Sequence, residues 1–318
     1  MNSILNLNYI KNEGCKRGCS KSERSLITEN DLCTDANSVY DNLPIRCVGK
    51  WAEEKIYHLV QYFGIFSNGM KNKWNGELNY IEICSGPGRC VSRDDGMEFD
   101  GTALSILKHK AFRHIKKALF FDFNNIVIET LNKRIENLGI KNAKVLFGDY
   151  SQPEKLRDEI RNIVNPKSLN LVFIDPTDCS VPFSLISNIK QVIPKTDFII
   201  NLATGTDFNR NVINALLKKE SYQNTVEKYS GFIGSSDFFN DSKNIKFAKE
   251  GNNTGLRNSF RKYYKNNLMS LGYKYFDIKR IKHYYDLLFA SQDPQGLSFW
   301  EKANKIKFND QTEIPFSH

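Results

Sequence analysis

Long apolar segments and histidines are both scarce in this sequence. No apolar run approaches the ~18 residues that a membrane-spanning helix needs, and the first residues lack the charged and apolar regions of a signal peptide. We therefore expect a cytoplasmic protein. The five histidines are scattered along the chain, which argues against a histidine-based metal site or catalytic triad.

Positive charge is in moderate excess. The 318 residues include 45 Lys and Arg against 36 Asp and Glu, which gives a net charge of +9. A basic surface attracts phosphates, so the excess suits an anionic partner such as nucleic acid. A soluble protein with an ordinary basic bias explains the same excess equally well.

Four of the seven cysteines precede the main domain, at Cys15, Cys19, Cys33 and Cys47. Four thiolates can close a tetrahedral zinc site, and a metal would order a segment that is poor in apolar residues. The spacing contains one C-x3-C pair, whereas a typical zinc site has two C-x2-C-like pairs. Zinc binding and free thiols are therefore both open.

Apolar segments of strand length alternate with segments of helical period over most of the chain. An amphipathic helix over 51–66 comes first, and five strands follow, at 79–84, 118–122, 144–147, 169–174 and 197–202. Helices fill 102–114, 124–138, 151–163, 182–191 and 207–219. This alternation predicts a doubly wound α/β fold with a mostly parallel sheet.

The same pattern predicts the domain organisation. Residues 1–46 form a Cys-bearing extension, 47–302 the α/β domain and 303–318 a tail. Insertions are expected near 91–101 and at 220–256, where Asn, Ser, Gly and Lys predict an insertion or a mobile loop. A helix over 257–271 and two strands, 275–281 and 284–290, predict a final antiparallel hairpin, as in many S-adenosylmethionine (SAM) methyltransferases.

The first strand runs into a small loop with the sequence Glu82-Ile83-Cys84-Ser85-Gly86-Pro87-Gly88. Glycines let a backbone approach a ligand closely, and in open α/β sheets ligands bind at the carboxyl end of the first strand. We therefore predict that the loop residues Cys84, Ser85, Gly86 and Gly88 bind SAM, with Glu82 on its amino group. A plain strand-to-helix turn is the alternative.

Polar residues also end the second and third strands. Asp122, or Asn124 in its place, would bind ribose hydroxyls, and Asp149 would contact the adenine amine while Tyr150 or Phe123 stacks on the ring. Helix N-capping by these side chains is the alternative, and both roles can hold together.

The fourth strand ends in Asp175-Pro176-Thr177-Asp178, which we interpret as the catalytic corner. Methyl transfer is an in-line displacement, so the lone pair of the acceptor must point at the methyl group. Asp175 would orient an acceptor amine beside Pro176 and Thr177. The segment Thr204-Gly205 after the fifth strand would line the acceptor pocket. Turns that end a strand or cap a helix are the alternative at both corners.

Basic and aromatic residues interleave near the carboxyl end, a composition that suits nucleic acid. The alternative is a solvated face whose tyrosines pack in the core. The residues are Lys243, Lys246, Lys249, Arg257, Arg261, Lys262, Lys265, Lys274, Lys279, Arg280 and Lys282, with Tyr263, Tyr264, Tyr273, Tyr275, Tyr284 and Tyr285.

Several short stretches together resemble the three-Cys-motif partner protein (TcmP) family over roughly residues 43–302. They include Val48-Gly49-Lys50-Trp51, Gly69-Met70-Lys71-Asn72-Lys73-Trp74, Gly86-Pro87-Gly88-Arg89-Cys90, Phe173-Ile174-Asp175-Pro176-Thr177 and Leu288-Phe289-Ala290-Ser291. The resemblance implies a SAM-methyltransferase-like fold, a phage-type partner protein with three clustered cysteines, and a mobile-element or defence setting. The chain departs from the family pattern at Glu82, Cys84-Ser85 and Asp178.

Three functional hypotheses follow. The first is a SAM-dependent methyltransferase that acts on nucleic acid or on a partner protein. The second is a non-catalytic scaffold that binds a partner. The third is a metal-dependent phosphodiesterase, in which Asp122, Asp149 and Asp175 gather Mg²⁺.

Overall fold

The computed structural model describes residues 9–19 and 32–305. Within them, one compact unit comprises the chain up to Phe147 together with residues from Ser298 onward, and a second comprises Gly148–Leu297. No helix in the described ranges is long and apolar enough to cross a membrane. Most of the predicted tail at 303–318 lies outside the described residues.

Twelve strands are present in the described residues: β1 (Ile10–Lys11), β2 (Leu32–Asn37), β3 (Pro44–Val48), β4 (Leu78–Ile83), β5 (Arg89–Ser92), β6 (Met97–Asp100), β7 (Lys117–Asp122), β8 (Ala143–Phe147), β9 (Leu169–Ile174), β10 (Thr196–Leu202), β11 (Tyr275–Ile281) and β12 (Tyr285–Ser291). The α-helices there are α1 (Trp51–Met70), α2 (Thr102–Leu107), α3 (Asn125–Asn137), α4 (Pro153–Ile163), α5 (Phe183–Val192), α6 (Asp207–Leu217), α7 (Gln223–Ile233), α8 (Asp237–Asn240), α9 (Ser242–Lys249), α10 (Asn253–Ser270) and α11 (Pro294–Lys305).

Three parallel strands, β4, β7 and β8, organise the first unit. β7 pairs with β4 on one side and β8 on the other, so that Ile83 lies opposite Phe121 and Asp122 opposite Phe147. Every residue of β4 is buried, as expected for a strand covered on both faces. The carboxyl ends of these strands therefore meet at one edge, where the glycine loop begins.

A second sheet in the first unit joins the two segments that the sequence presents as an extension and an insertion. Its strand order is β1-β6-β5-β3-β2. β3 pairs in parallel with β5, and β1 pairs with β6, so residues 91–101 form a hairpin on which the N-terminal strands assemble. The predicted boundary at residue 46 falls inside β3.

The second unit contains two parallel strands and a hairpin. β9 runs parallel to β10, and β12 pairs antiparallel with both β10 and β11. The predicted C-terminal hairpin is confirmed within one residue at each end. The α/β fold class, with mainly parallel strands and antiparallel strands at the carboxyl end, is likewise confirmed.

The expectation of a mobile loop at 220–256 is wrong, because this segment is helical. It forms α7, α8, α9 and the start of α10. Its buried aromatic residues join others from the helices before and after it in one cluster: Phe208, Tyr229, Phe232, Phe238, Phe239, Phe260 and Tyr264. Composition alone does not predict these helices, because Asn, Ser and Lys occupy their outer faces. Only a few aromatic residues cover their inner, buried faces.

The helix predicted over 102–114 is divided. α2 ends at Leu107, and a 3-10 helix occupies Lys110–His114. His109 between them has an extended backbone, and its Nδ1 accepts a hydrogen bond from the Ala111 N–H. This side-chain cap starts a new turn and ends the continuous helix.

Candidate functional site

The glycine loop after β4 turns sharply through left-handed backbone conformations. Cys84, Gly86 and Gly88 have φ values of 66°, 66° and 95°. Ser85 N–H donates to the Phe121 carbonyl at 3.1 Å, and Gly86 N–H donates to Asp122 Oδ2 at 3.0 Å. The loop is therefore fastened to the end of β7, the strand beside it.

Two features of the loop leave room for a ligand. The Ser85 hydroxyl is buried and has no hydrogen-bond partner among the described residues, and a buried unsatisfied hydroxyl is costly unless something binds it. The Arg46 side chain lies over Gly86, with Nη1 3.1 Å from where a Cβ of that residue would stand. A guanidinium thus faces the glycine turn, and the positive φ of Gly86 is one that glycine adopts without strain.

Glu82 lies inside the protein beneath the loop. It is fully buried, and its carboxylate accepts hydrogen bonds from the Tyr80 hydroxyl, at 2.8 Å, and from the Thr102 hydroxyl at the start of α2. Gly101, the N-cap of α2, donates its N–H to the Gly88 carbonyl at 2.7 Å. Glu82 therefore ties α2 to β4, and its binding of a cofactor amino group stays a prediction.

Asp122 and Asn124 form the beginning of α3. Asp122 accepts from the N–H groups of Gly86 and Asn124, and Asn124 Oδ1 caps the helix by accepting from Ile126 N–H at 2.8 Å. The capping role of Asn124 is thus observed. Phe123 and Phe147 stand beside this carboxylate with 47% and 57% of their surface exposed, which is unusual for aromatic side chains and marks an apolar surface next to Asp122.

Arg134 on α3 is a site residue that sequence reasoning missed. It is 3% exposed, donates to both carboxylate oxygens of Asp41 at 2.8 and 2.9 Å, and donates to the carbonyls of Pro44 and Pro87 at 3.0 and 2.6 Å. Burial raises the pKa of Asp41, but the hydrogen bond and charge of Arg134 outweigh it and hold the pKa below its usual value. Pro87 belongs to the glycine loop, so Arg134 holds that loop in place.

In the second unit, the predicted adenine ligands are engaged locally. Asp149 accepts from Ser151 N–H and from Gln152 Nε2, both at 2.8 Å. Burial raises the pKa of Asp149, but these hydrogen bonds bring it below the usual value. The Tyr150 hydroxyl accepts from Ser180 Oγ at 3.0 Å. The turn-forming role of Asp149 is observed, and its contact with adenine stays a prediction.

The catalytic corner is built from the ends of β9 and β10. Asp175 is 7% exposed and accepts a hydrogen bond at 2.9 Å from Asn201 Nδ2, which also donates to the Pro176 carbonyl at 3.3 Å. Asn201 Oδ1 is buried without a hydrogen-bond partner in the described part of the chain. Pro176 is buried and Thr177 is exposed. Asn201 is therefore a further candidate residue, whose position beside Asp175 depends on strand pairing.

The loop after Asp175 is fixed by a lysine from the unexpected helices. Lys228 Nζ on α7 lies 2.8 Å from Asp178 and 2.9 Å from Asp207. Burial lowers the pKa of Lys228, but these two carboxylates raise it above its usual value. Asp178, which departs from the family pattern, is thus an ion-pair partner that joins the catalytic corner to α7.

Thr204 and Gly205 contact the hairpin formed by β11 and β12. Thr204 is fully buried, and its hydroxyl donates to Asp286. A Cβ on Gly205 would stand 1.7 Å from the His283 carbonyl oxygen, so the residue supports the turn between β11 and β12. Thr204 has no exposed surface and Gly205 is partly exposed, and their place along an acceptor pocket stays a prediction.

The predicted zinc site finds no support. In residues 9–19 and 32–305, no group of three or more His, Cys, Asp or Glu is placed to hold a metal ion, and all seven cysteines are free. Cys15 and Cys33 instead pack with Ile45, Val91 and Ala36 in an apolar cluster. Burial raises the pKa of the Cys15 thiol.

Comparison with known proteins gives distant similarities. No family model matches the chain. An uncharacterized protein of Buchnera aphidicola subsp. Schizaphis graminum is 27% identical over 182 residues, which are 55% of this chain and 18% of that relative. The chain thus spans less than a fifth of the length of the curated relative that it matches.

Solved structures with a similar arrangement include an rRNA methylase from Streptococcus thermophilus (TM-score 0.32, 11% identity, 71% of this chain and 93% of that one). Human Methyltransferase-like protein 13 in complex with S-adenosylhomocysteine (SAH) has a TM-score of 0.39 and 10% identity over 83% of this chain and 97% of that one. Aeropyrum pernix fibrillarin with natively bound SAM has a TM-score of 0.33 and 11% identity over 67% and 65%. Similarities this distant do not identify a cofactor or a substrate for this chain.

Proposed function

We propose that this chain is a SAM-dependent methyltransferase. The observation that carries the proposal is the glycine loop after β4, where a buried Ser85 hydroxyl, unpartnered in residues 9–19 and 32–305, lies next to a backbone N–H held by Asp122. A ligand with polar groups would satisfy this hydroxyl. Its place at the carboxyl ends of parallel strands is where α/β sheets bind nucleosides.

The residues around the loop fit the functional groups of SAM. The Arg46 guanidinium over Gly86 would bind the methionine carboxylate, since arginine pairs with carboxylates through parallel hydrogen bonds. Asp122 would accept hydrogen bonds from the ribose hydroxyls. Phe123 and Phe147 would cover the adenine ring, which explains their exposure. When bound, SAM supplies an electrophilic methyl group.

The corner at Asp175 and Asn201 suits an amine acceptor. An amino group has two N–H donors, and the Asp175 carboxylate and the buried Asn201 Oδ1 are two acceptors at adjacent strand ends. Accepting both N–H bonds would orient the nitrogen lone pair away from these oxygens, which an in-line displacement at a methyl group requires. Asp175 would then hold the proton that the methylated nitrogen loses.

Calorimetric titration with SAM and SAH tests the cofactor site. We expect binding by the wild-type protein and none by Gly86→Asp, because an aspartate would be strained at a φ of 66° and its carboxylate would pair with Arg46 in place of the cofactor. Gly231→Asp is the matched control, since Gly231 is an exposed helical glycine with open space around it. Equal affinity in both variants, or no binding by folded wild-type protein, would overturn the proposal.

Methyl transfer from labelled SAM tests the acceptor corner. Asp175→Ala should lose transfer while keeping SAM affinity, and Asn201→Ala should lose much of it. Asp158→Ala, a change at an exposed carboxylate on α4, serves as the control. Normal transfer by Asp175→Ala would refute the orienting role.

The resemblance to the TcmP family supports a further proposal about context. We infer that the chain works with a three-Cys-motif protein of a mobile element or defence system. Co-expression with such a protein should yield a complex that survives gel filtration, and two separate peaks would argue against the partnership.

A further inference from the structure

A buried carboxylate at the edge of the second unit gathers three arginines. Asp286, at the start of β12, has no exposed surface. Arg261 on α10 donates to both of its oxygens at distances of 2.7 to 2.9 Å, and Arg280 on β11 donates to it at 3.2 Å. Arg257 lies one helical turn before Arg261 and close enough to interact electrostatically with Asp286 and both arginines.

Arg257 differs from the other two because it has no partner. Across residues 9–19 and 32–305, it forms no hydrogen bond and no ion pair, although its side chain is partly buried. Burial lowers the pKa of Arg257, and the positive charges of Arg280 and Arg261 lower it further. Three guanidinium groups around one carboxylate leave an excess of two positive charges, an arrangement that favours an added anion.

The neighbouring groups hold these arginines in position. Arg280 also donates to the carbonyls of Lys282 and His283 in the turn between β11 and β12, at 3.0 and 2.9 Å. The rings of His283 and Tyr284 in that turn lie 3.9 Å apart. The site thus places oriented guanidinium groups next to a pair of rings, which is the combination that binds phosphates and stacks on bases.

The cluster lies at the same sheet edge as the proposed acceptor corner. The Thr204 hydroxyl, just past β10, donates to Asp286, and Asn201 near the end of β10 donates to Asp175. Asp286 is the second residue of β12 and Asp175 directly follows β9, and β10 alone separates these two strands. Two strand spacings are about 10 Å, a distance that a nucleic-acid strand covers within a few nucleotides, since each advances about 3.4 Å along the helix axis.

We propose that Arg257, supported by Arg261, Arg280 and Asp286, binds the phosphodiester backbone of a nucleic acid whose base amine enters the corner at Asp175. Enzymes that modify a base take it out of the stack, and a backbone contact a few nucleotides away would hold the strand while the base is inserted. This site rests on the proposed function only in that the bound nucleic acid would be the methyl acceptor. Backbone binding itself needs no cofactor.

Fluorescence anisotropy with labelled single-stranded and duplex RNA and DNA tests the proposal at several salt concentrations. Arg257→Gln should weaken binding about tenfold at low salt and reduce the slope of log affinity against log salt by about one, because one phosphate contact is lost. Arg257→Lys should keep the slope. Arg161→Gln on α4, which removes an exposed arginine of the same charge, should change neither quantity.

A stability measurement separates this role from a structural one. Since Arg257 is repelled by its neighbours, Arg257→Gln should leave the unfolding temperature unchanged or raised, whereas a structural arginine would lower it. Equal nucleic-acid affinity and slope in wild type and Arg257→Gln would overturn the proposal. Equal displacement of the probe by poly-glutamate would also overturn it, in favour of an acidic protein partner.

SAM titration of the same preparations distinguishes the two proposals. SAM binding without nucleic-acid binding would refute the phosphate site alone. Arg257-dependent nucleic-acid binding without SAM binding would support the phosphate site and refute the methyltransferase proposal.

Discussion

The pairing of Arg134 with Asp41 gives the sharpest stability prediction for the first unit. Arg134→Met removes a buried guanidinium. This group donates hydrogen bonds to the Asp41 carboxylate and to the carbonyls of Leu43, Pro44 and Pro87. Breaking a buried ion pair costs about 3–5 kcal/mol. The Asp41 side chain keeps 20% exposure, so water can solvate the remaining charge in part. We therefore expect a loss at the lower end, about 3 kcal/mol.

Asp41→Asn should cost less, about 1–2 kcal/mol, because Arg134 keeps its three carbonyl partners and the amide oxygen can still accept one hydrogen bond. The double variant should then lose at least 0.5 kcal/mol less than the sum of the single changes, the range found for residues in contact. Urea unfolding of the four proteins measures this coupling. Additive losses would refute the pairing.

The pair also predicts a pH dependence. The pKa of Asp41 is lower in the folded protein, so the pair contributes its full stability above the unfolded pKa of about 3.9 and loses it as pH falls through the folded value. The free energies of unfolding of Asp41→Asn and wild type should therefore become more alike below about pH 4. If the difference in stability between the two proteins stays constant until acid unfolds them, the pKa of Asp41 is not lowered by folding.

The same two variants separate stability from cofactor binding. Arg134→Met releases the Pro87 carbonyl in the glycine loop, so SAM affinity should fall by roughly tenfold, the equivalent of one hydrogen bond. Asp41→Asn leaves that bond in place and should bind SAM normally. Calorimetric titration at a temperature where both are folded measures the difference. Equal affinities would show that Arg134 does not hold the loop.

Three further changes test individual parts of the fold. Cys84→Gly should raise the free energy of unfolding by about 0.5–1 kcal/mol in urea titration, because it relieves a left-handed backbone at φ 66°. Phe260→Ala, which opens the aromatic cluster, should lower it by about 3–5 kcal/mol. Lys228→Met should lower the free energy of unfolding by about 1 kcal/mol at neutral pH. The pKa of Lys228 is raised in the folded state, so the difference in stability from wild type should shrink as pH rises above about 10.4. The reasoning for Cys84 would be refuted by an unchanged free energy of unfolding, and that for Phe260 by a loss below about 1 kcal/mol. The reasoning for Lys228 would be refuted if the Lys228→Met protein stayed less stable than wild type at high pH.

Local patterns in the sequence predict the parallel strands and the glycine loop well. The apolar segments at 79–84, 118–122, 169–174 and 197–202 match β4, β7, β9 and β10 within one residue. A run of buried β-branched and aromatic residues is itself the signal of such strands, and a glycine turn can be recognised from its own few residues. The α/β class follows from the alternation alone.

The polar composition of residues 220–256 wrongly predicts a mobile loop there. The helices there bury only a few aromatics each, and those side chains find their partners in one another across distant helices, such as Phe208 with Phe260. No single window of the sequence shows that cluster, since its members come from four helices between Phe208 and Tyr264. Helical stability there comes from tertiary packing more than from local propensity.

The sequence by itself determined the alternation of strands and helices, the glycine turn and the acidic strand ends. Only the tertiary structure decided which distant groups meet: Arg134 with Asp41, 93 residues apart, Asn201 with Asp175, and Arg257 with the arginines around Asp286. Secondary structure arises from neighbours in the chain, whereas ion pairs and site geometry arise from chain segments that folding brings together. Their partners therefore appear only when the strands and helices are assembled.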